Sequence, residues 1–557
     1  METFRIITTL LGGLAIFIFG MNMMSEGLQK AAGDKMRRIL SMLTVNPVLG
    51  VLAGALTTAV LQSSSATTVM VIGFVSAGLM KLPQAISVIL GANIGTTMTA
   101  QLIAFNIGDY AWIFVFIGFI LYFFLKKKAL VADIGQIIFS FGLLFVGINT
   151  MAETMVPLAA SPMFSDMILK VQDIPILGVA VGTLMTVVIQ SSSATIAVLQ
   201  NLASTAGPDG ISSIIGLEGA LPILFGDNIG TTITALLASI GASINAKRTA
   251  IAHTIFNVSG TLIFIWFVPQ IADLITKISG AGAEVEVISR QIANAHTLFN
   301  LTCTLLWLPF IWVLVKIVTK IIPGKEKEKL DTEPIYLDEN VINQPVFAIH
   351  LAIQELTRNA KFAQTMIVGS AESFLEKSKK AMDSVMETEN TLNKIREKIV
   401  NYLALILSTE TVTEAQTEKV SALMHVASDI EHIGDYAKNI VRLSKEKIDN
   451  KYEFSDVANE EIKNCFFKID RMIIKTIEAL ETGNVSDAYE VFEYEKQLNQ
   501  YELELRSTHM ERLNNKECSP NFTVVYVDVV HNIERMGDSC KNIAEAVIKG
   551  AKQKGIV

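Results

Sequence analysis

Charge is scarce in the first part of this chain. Residues 1–320 hold 16 Lys and Arg and 14 Asp and Glu, against 30 and 40 in the remaining residues. Such poverty over so long a stretch excludes an ordinary soluble surface and points to lipid, which penalises charge. Cysteine is scarce too. Cys303, Cys465, Cys518 and Cys540 form no Cys-x-x-Cys pair, which leaves no zinc knuckle or disulfide scaffold. No basic patch marks a nucleic-acid partner. No nucleophile–base pair or nucleotide-binding motif stands out, which argues against an enzyme. The N-terminus lacks the basic start and small-residue cleavage site of a signal peptide, so its first apolar run is expected to stay as a membrane helix.

What is present divides in two. The chain is 51% hydrophobic, as befits a membrane domain diluted by a soluble one. Residues 1–322 read as the membrane domain, 323–340 as a solvated linker and 341–557 as a soluble domain of net negative charge.

The membrane part repeats itself. Gly20-Met-Asn22-Met-Met24-Ser-Glu26 returns as Gly147-Ile-Asn149-Thr-Met151-Ala-Glu153, at an offset of 127. Gln62-Ser-Ser-Ser-Ala-Thr67 returns as Gln190-Ser-Ser-Ser-Ala-Thr195, at an offset of 128, each string 15 residues after a proline, Pro47 or Pro175. Gly91-Ala-Asn93-Ile-Gly95-Thr-Thr97 returns as Gly226-Asp-Asn228-Ile-Gly230-Thr-Thr232, at an offset of 135. The order is kept, with repeats at about 5–125 and 131–270 and a last helix at 293–320.

Each Gln-Ser-Ser-Ser string lies inside a long apolar stretch, Pro47–Met80 or Pro175–Gly207. One helix of about 34 residues would be roughly 50 Å long, too long for a ~30 Å hydrocarbon core. Two half-helices meeting at the polar string fit better, which predicts a re-entrant hairpin in each repeat. The two glycines around Asn93, and those around Asn228, predict a break in each following helix. Three full crossings separate the hairpins, an odd number, so the repeat is inverted. Lys30, Lys35, Arg37, Arg38, Lys126–Lys128, Lys247, Arg248 and Lys325–Lys329 fall on one side, which the positive-inside rule makes cytoplasmic. The expected fold is therefore all-α: a polytopic inverted repeat with two hairpins and broken helices, then a cytoplasmic pair of three-helix bundles. Broken helices with polar groups at mid-membrane point to a secondary transporter.

The segments that hold the polar strings carry no Lys or Arg except Lys81 at a hairpin end. An anion there would be held by hydroxyls, amides and the positive ends of half-helices. Co-bound cations would supply the missing charge, and Gln, Ser, Asn and Thr oxygens suit sodium. This reasoning favours sodium-coupled oxyanion transport and leaves phosphate, sulfate and carboxylates open.

The paired Gln-Ser-Ser-Ser strings, each followed by Gly-x-Asn-Ile-Gly-Thr, resemble the type II sodium–phosphate cotransporters in their bacterial branch, over roughly residues 5–320. The resemblance implies sodium-coupled phosphate symport across the inner (cytoplasmic) membrane. It places Gln62, Ser63, Ser64, Ser65, Asn93 and Thr96 in one half of a substrate and sodium site. Gln190, Ser191, Ser192, Ser193, Asn228 and Thr231 form the other. Asp227 departs from it, standing where a small neutral residue is expected, and reads as an extra cation or proton site. Phosphate export, transport of another oxyanion and a membrane-anchored signalling scaffold are the alternatives. His253 and His296, in segments repeated at an offset of 43, are expected to bridge helices, with proton carriage the alternative.

From residue 341 an amphipathic pattern fits six helices, at roughly 341–372, 379–408, 413–446, 456–482, 486–515 and 521–550. Ile430-Glu-His-Ile-Gly-Asp435 returns as Ile533-Glu-Arg-Met-Gly-Asp538, at an offset of 103, which predicts two three-helix bundles. The Glu-x-x-x-Asp spacing sets two carboxylates on one helix face. Glu431, Asp435, Glu534 and Asp538 are thus candidate metal ligands, the ion's identity open. These motifs resemble the PhoU family of phosphate-signalling proteins over roughly 345–557, which implies a sensing or regulatory domain. Expected partners are phosphate, sodium and the bilayer, with a second copy or phosphate-signalling proteins as further candidates.

Overall fold

The computed structural model describes residues 2–32, 46–105, 107–125, 129–159, 170, 173–207, 209–324, 332–342, 344–409, 412–516, 518, 520 and 523–552. The basic residues Lys35, Arg37, Arg38, Lys126–Lys128 and Lys325–Lys329 lie outside them. Two compact units divide the chain, Met1–Glu326 and Lys327–Val557. Among the described residues both are helical, apart from an isolated bridge between Ala206 and Ser213.

In unit 1 the helices are α1 (Glu2–Ala32), α2 (Pro47–Leu61), α3 (Ser64–Ser76), α4 (Leu82–Ile103), α5 (Ala111–Phe124), α6 (Ala129–Ala159) and α7 (Pro175–Ile189). They continue as α8 (Ser192–Ala203), α9 (Gly216–Gly230), α10 (Thr232–Ala238), α11 (Ile244–Phe264), α12 (Val268–Ile278), α13 (Glu284–Trp307) and α14 (Ile311–Ile321). Six helical stretches among the described residues are long and apolar enough to cross a membrane.

Both Gln-Ser-Ser-Ser strings turn the chain back on itself. Gln62 and Gln190 adopt left-handed backbone, at φ 51° and 57°, where the first arm ends. Ser63 and Ser191 then cap the second arm, each hydroxyl accepting from a backbone N–H three residues on. Thr58 and Thr67 come within 2.9 Å, and Thr186 and Thr195 within 3.1 Å. Nine residues of straight helix would hold such pairs about 13 Å apart.

The hairpins open toward opposite ends of unit 1. Ser76, at the end of α3, accepts from the Ser243 N–H, and Arg248 nearby donates to the carbonyls of Ile322 and Gly324. These groups mark one end. At the other, Arg290 donates to the Ala104 carbonyl, and Glu284 accepts from Ser213 just beyond α8. Helix α4 runs from the first end to the second, and α9 with α10 runs back.

The expected break is corrected at the first Gly-x-Asn block and met at the second. Helix α4 passes through Gly91–Thr97 without interruption, and only Thr231 separates α9 from α10. The glycines serve close approach in both. A Cβ on Gly91 would lie 1.9 Å from the Val51 carbonyl oxygen, and one on Gly226 would lie 2.0 Å from that of Val179. Each hairpin's first arm thus packs backbone-to-backbone on the helix that follows the hairpin, as small residues permit in membranes. The expected segments 249–270 and 293–320 are also longer: α11 and α12, and α13 and α14, join through single 3₁₀ turns over Ile244–Ile278 and Glu284–Ile321.

Unit 2 holds the six expected helices: α15 (Pro345–Leu375), α16 (Lys379–Leu407), α17 (Glu414–Asp449), α18 (Asp456–Thr482), α19 (Val485–Asn514) and α20 (Thr523–Lys552). The first three and the last three form the two bundles, and α17 packs on α20. The segment just before them is bound to the first bundle. Buried Glu355 accepts from the N–H groups of Ile335 and Tyr336 at 2.8 and 2.7 Å, and Tyr402 donates to the Asp338 carbonyl.

Candidate substrate and sodium site

At each tip the second arm presents its helix N-terminus, where unpaired N–H groups and the helix dipole favour an anion. Left-handed backbone at a non-glycine residue costs on the order of 1–2 kcal/mol. Finding it at Gln62 and at Gln190 marks both turns as built features rather than slack loop.

The tips differ in their surroundings. Gln62 is buried; its amide donates to the Ala59 carbonyl and its oxygen accepts from Thr99 at 2.8 Å. Gln190 is exposed. Thr234, the repeat partner of Thr99, reaches across to the other repeat and donates to Ser65 at 3.1 Å. In the same crossed sense, Gln200 on α8 donates to the Ala100 carbonyl of α4 at 3.2 Å. Each helix that follows a hairpin therefore touches the second arm of the other hairpin. Ser64 and Ser193 are buried, whereas Ser191 and Ser192 are half-exposed. Among the described residues no hydrogen bond joins one tip directly to the other.

Asn93 and Asn228 lie buried, each donating to the carbonyl four residues back, and Thr96 and Thr231 do likewise. The Asn228 oxygen also accepts from Asn300 at 3.2 Å. Asp227 is wholly buried, with one oxygen 2.6 Å from the Thr186 hydroxyl.

This architecture can be set beside known proteins. The model of the Na+/Pi-cotransporter family matches the chain twice, over residues 16–153 and 152–283. The uncharacterized protein YqeW of Bacillus subtilis is 33% identical over 266 residues, 48% of this chain and 84% of that protein. The chain belongs to the Na+/Pi-cotransporter family. It is thus a multi-pass membrane protein of a phosphate-transporter family, not of an enzyme family.

Two more relatives bear on this family member. YjbB of Salmonella typhimurium, whose name assigns it provisionally to inorganic phosphate export, is 22% identical over 98% of both chains. Sodium-dependent phosphate transport protein 2A of Rattus norvegicus is 40% identical over 101 residues, 17% of this chain and 15% of that one. The PhoU-domain model also matches twice, over 356–444 and 462–547. The crystal structure of PhoU from Pseudomonas aeruginosa aligns with a TM-score of 0.35 and 16% identity, over 38% of this chain and 99% of that one.

Several polar groups of unit 1 were given no role in the sequence reading. Thr58, Thr67, Thr186 and Thr195 brace the hairpins, Thr99 and Thr234 hold the first tip, and Asn300 meets Asn228. Repetition at the offsets already found was the available signal for the threonines. His253 and His296 are corrected: both are buried, yet neither ring nitrogen has a hydrogen-bond partner among the described residues, so no imidazole hydrogen bond bridges helices.

The acidic motifs of the PhoU-like unit are corrected as well. No group of three His, Cys, Asp or Glu side chains among the described residues is placed to hold a metal ion, so the four carboxylates form no single metal centre. Arg535 pairs with Asp538 at 3.0 Å, and the His531 ring lies 3.5 Å from Glu534. Burial, and then the Asp538 charge, raise the Glu534 carboxyl above its usual range.

Proposed function

We propose that this protein is a sodium-coupled symporter of inorganic phosphate, its substrate and ions bound at the two hairpin tips. The observation that carries the reading is the duplicated tip: a left-handed Gln, a capping Ser and an open helix N-terminus, one from each end of unit 1. Each tip enters the membrane from its own face as a re-entrant hairpin. Gln62, Ser63, Ser64, Ser65, Asn93 and Thr96 then face their counterparts Gln190, Ser191, Ser192, Ser193, Asn228 and Thr231.

No Lys or Arg lies in the polar strings, and Arg248 and Arg290 are engaged elsewhere, Arg248 on the carbonyls that follow α14 and Arg290 on Gln101 and Ala104. Phosphate at the tips therefore takes its counter-charge from co-bound sodium. The unequal tips, Gln62 held and Gln190 exposed, fit a site open toward one side, with the crossed contact of Thr234 on Ser65 exchanged when access alternates. The PhoU-like unit lies in the cytoplasm and regulates flux.

Radiolabelled phosphate uptake into proteoliposomes tests this. Flux should saturate with phosphate and collapse when choline replaces sodium. Equal flux in choline refutes sodium coupling, and no flux in either refutes transport. Net export is a second reading, favoured by the full-length similarity to YjbB. It keeps the same site and is distinguished by the direction of net flux in intact cells.

A further inference from the structure

The threonine chain behind each tip is duplicated, but its neighbour is not. In the first hairpin Thr58 donates to Thr67, which donates to the Ser63 carbonyl at 3.2 Å. In the second, Thr186, Thr195 and the Ser191 carbonyl repeat that chain, with Thr195 3.3 Å from the carbonyl. At the offset of 135 between α4 and α9, the residue matching Ala92 is Asp227. A single carboxylate therefore breaks the symmetry of the two halves, at a position with no solvent exposure.

That carboxylate is half satisfied. One oxygen accepts from Thr186 at 2.6 Å, while the other has no partner among the described residues. Among the described residues no ion pair reaches it. A buried, unpaired carboxylate costs several kcal/mol, so a counter-ion or a proton has to accompany it. Oxygens follow one another from it: the Thr186 hydroxyl on the carboxylate, the Thr195 hydroxyl on Thr186, and the Ser191 carbonyl, one residue from the exposed Gln190, on Thr195. Hard oxygen donors of this kind suit an alkali cation rather than a softer metal.

We propose that Asp227, Thr186 and Thr195, with the Ser191 carbonyl, form an alkali-cation site that exists only in the second repeat. The site rests on the sodium-coupled reading and adds one charged ion position to it. The first repeat, with Ala92 in the matching place, has only neutral donors. The two halves are then unequal in charge: the ion bound beside Asp227 is neutralised by the protein, whereas ions at the first tip are neutralised by phosphate. Asp227 accordingly sets the number of sodium ions moved with each phosphate.

Asp227→Asn tests this in two ways. In proteoliposomes, radiosodium and radiophosphate fluxes measured together should give a sodium-to-phosphate ratio one ion lower than in the parent. In detergent, the rise in melting temperature when sodium replaces choline should shrink, whether or not the protein transports. Thr186→Val keeps the carboxylate and serves if Asp227→Asn fails to fold. It should raise the sodium concentration for half-maximal stabilisation about tenfold, the loss of one hydrogen-bonding ligand. An unchanged ratio and unchanged sodium stabilisation in either folded variant overturn the inference. So does a parent protein stabilised by acid but not by sodium, which would make Asp227 a proton carrier. Failure of the parent to move phosphate would instead sink the transport reading, while a sodium stabilisation lost in Asp227→Asn would still support the cation site.

Discussion

Replacing Gly91 by alanine should be among the most damaging single-methyl changes in the molecule. Its Cβ would lie 1.9 Å from the Val51 carbonyl oxygen, 2.7 Å from the carbon of that carbonyl and 2.9 Å from the Ala55 nitrogen. An ordinary carbon–oxygen contact is about 3.3 Å, so α2 and α4 would have to part by roughly 1.4 Å. The obstructing atoms are backbone and cannot rotate away. Overpacking of this kind costs about 1–3 kcal/mol, and the rigid obstacle puts Gly91 at the upper end. Gly226→Ala should behave alike, with its Cβ 2.0 Å from the Val179 carbonyl oxygen. Gly12→Ala is the control, since nothing lies within 4 Å of its added Cβ. Melting of the three purified variants in one detergent reads the difference. The two buried sites should lose several degrees and the control almost none. Equal melting of all three would refute backbone contact as the purpose of the Gly-x-Asn blocks.

Further consequences can be checked separately. Cysteine placed at Lys247 should react with a membrane-impermeant thiol reagent from the face opposite to one at Glu284, because the hairpins open toward opposite ends; labelling of both from one face would contradict the inverted repeat. Glu355→Gln should speed hydrogen exchange at the amides of Ile335 and Tyr336, which its carboxylate accepts from; unchanged exchange there would show that the segment holds by other contacts. Lys447 is buried, and burial lowers its pKa from 10.5 to about 8. Below pH 8 both folded and unfolded chains carry this proton and the fold bears the full cost of the buried charge. Between about 8 and 10.5 the unfolded chain binds more protons, so the Lys447 contribution to stability rises with pH. Hydrogen exchange in α17 should therefore slow over that window relative to Lys447→Met, and parallel profiles would exclude the effect.

Much of this architecture was legible in the sequence because repetition is hard to produce by chance. Two Gln-Ser-Ser-Ser strings in apolar stretches too long for one span implied a reversal, and Gln62 and Gln190 are where the backbone turns. The six helices of unit 2 were legible from amphipathic spacing. The first Gly-x-Asn block was misread because glycine has two uses with one spelling. It can break a helix or let two helices touch, and only the position of Val51 against Gly91 tells which. Thr58 and Thr186 were overlooked because a single hydroxyl in an apolar helix looks like packing; its partner lies nine residues away, across a turn. The acidic motifs suggested metal ligands because like charges at one-turn spacing repel, but Asp538 has a local cation, Arg535, that its own motif does not reveal.

Phosphate counterflow is the most direct test of the central claim, because it reads the site without any ion gradient. Proteoliposomes loaded with unlabelled phosphate in sodium should accumulate labelled phosphate with the parent protein. Ser64→Ala and Ser192→Ala, one at each hairpin tip, should each slow that exchange by about tenfold or more, the effect of losing one hydrogen bond to a charged ligand. Exchange that is equally fast in the parent and in both folded variants would contradict a phosphate site at the hairpin tips.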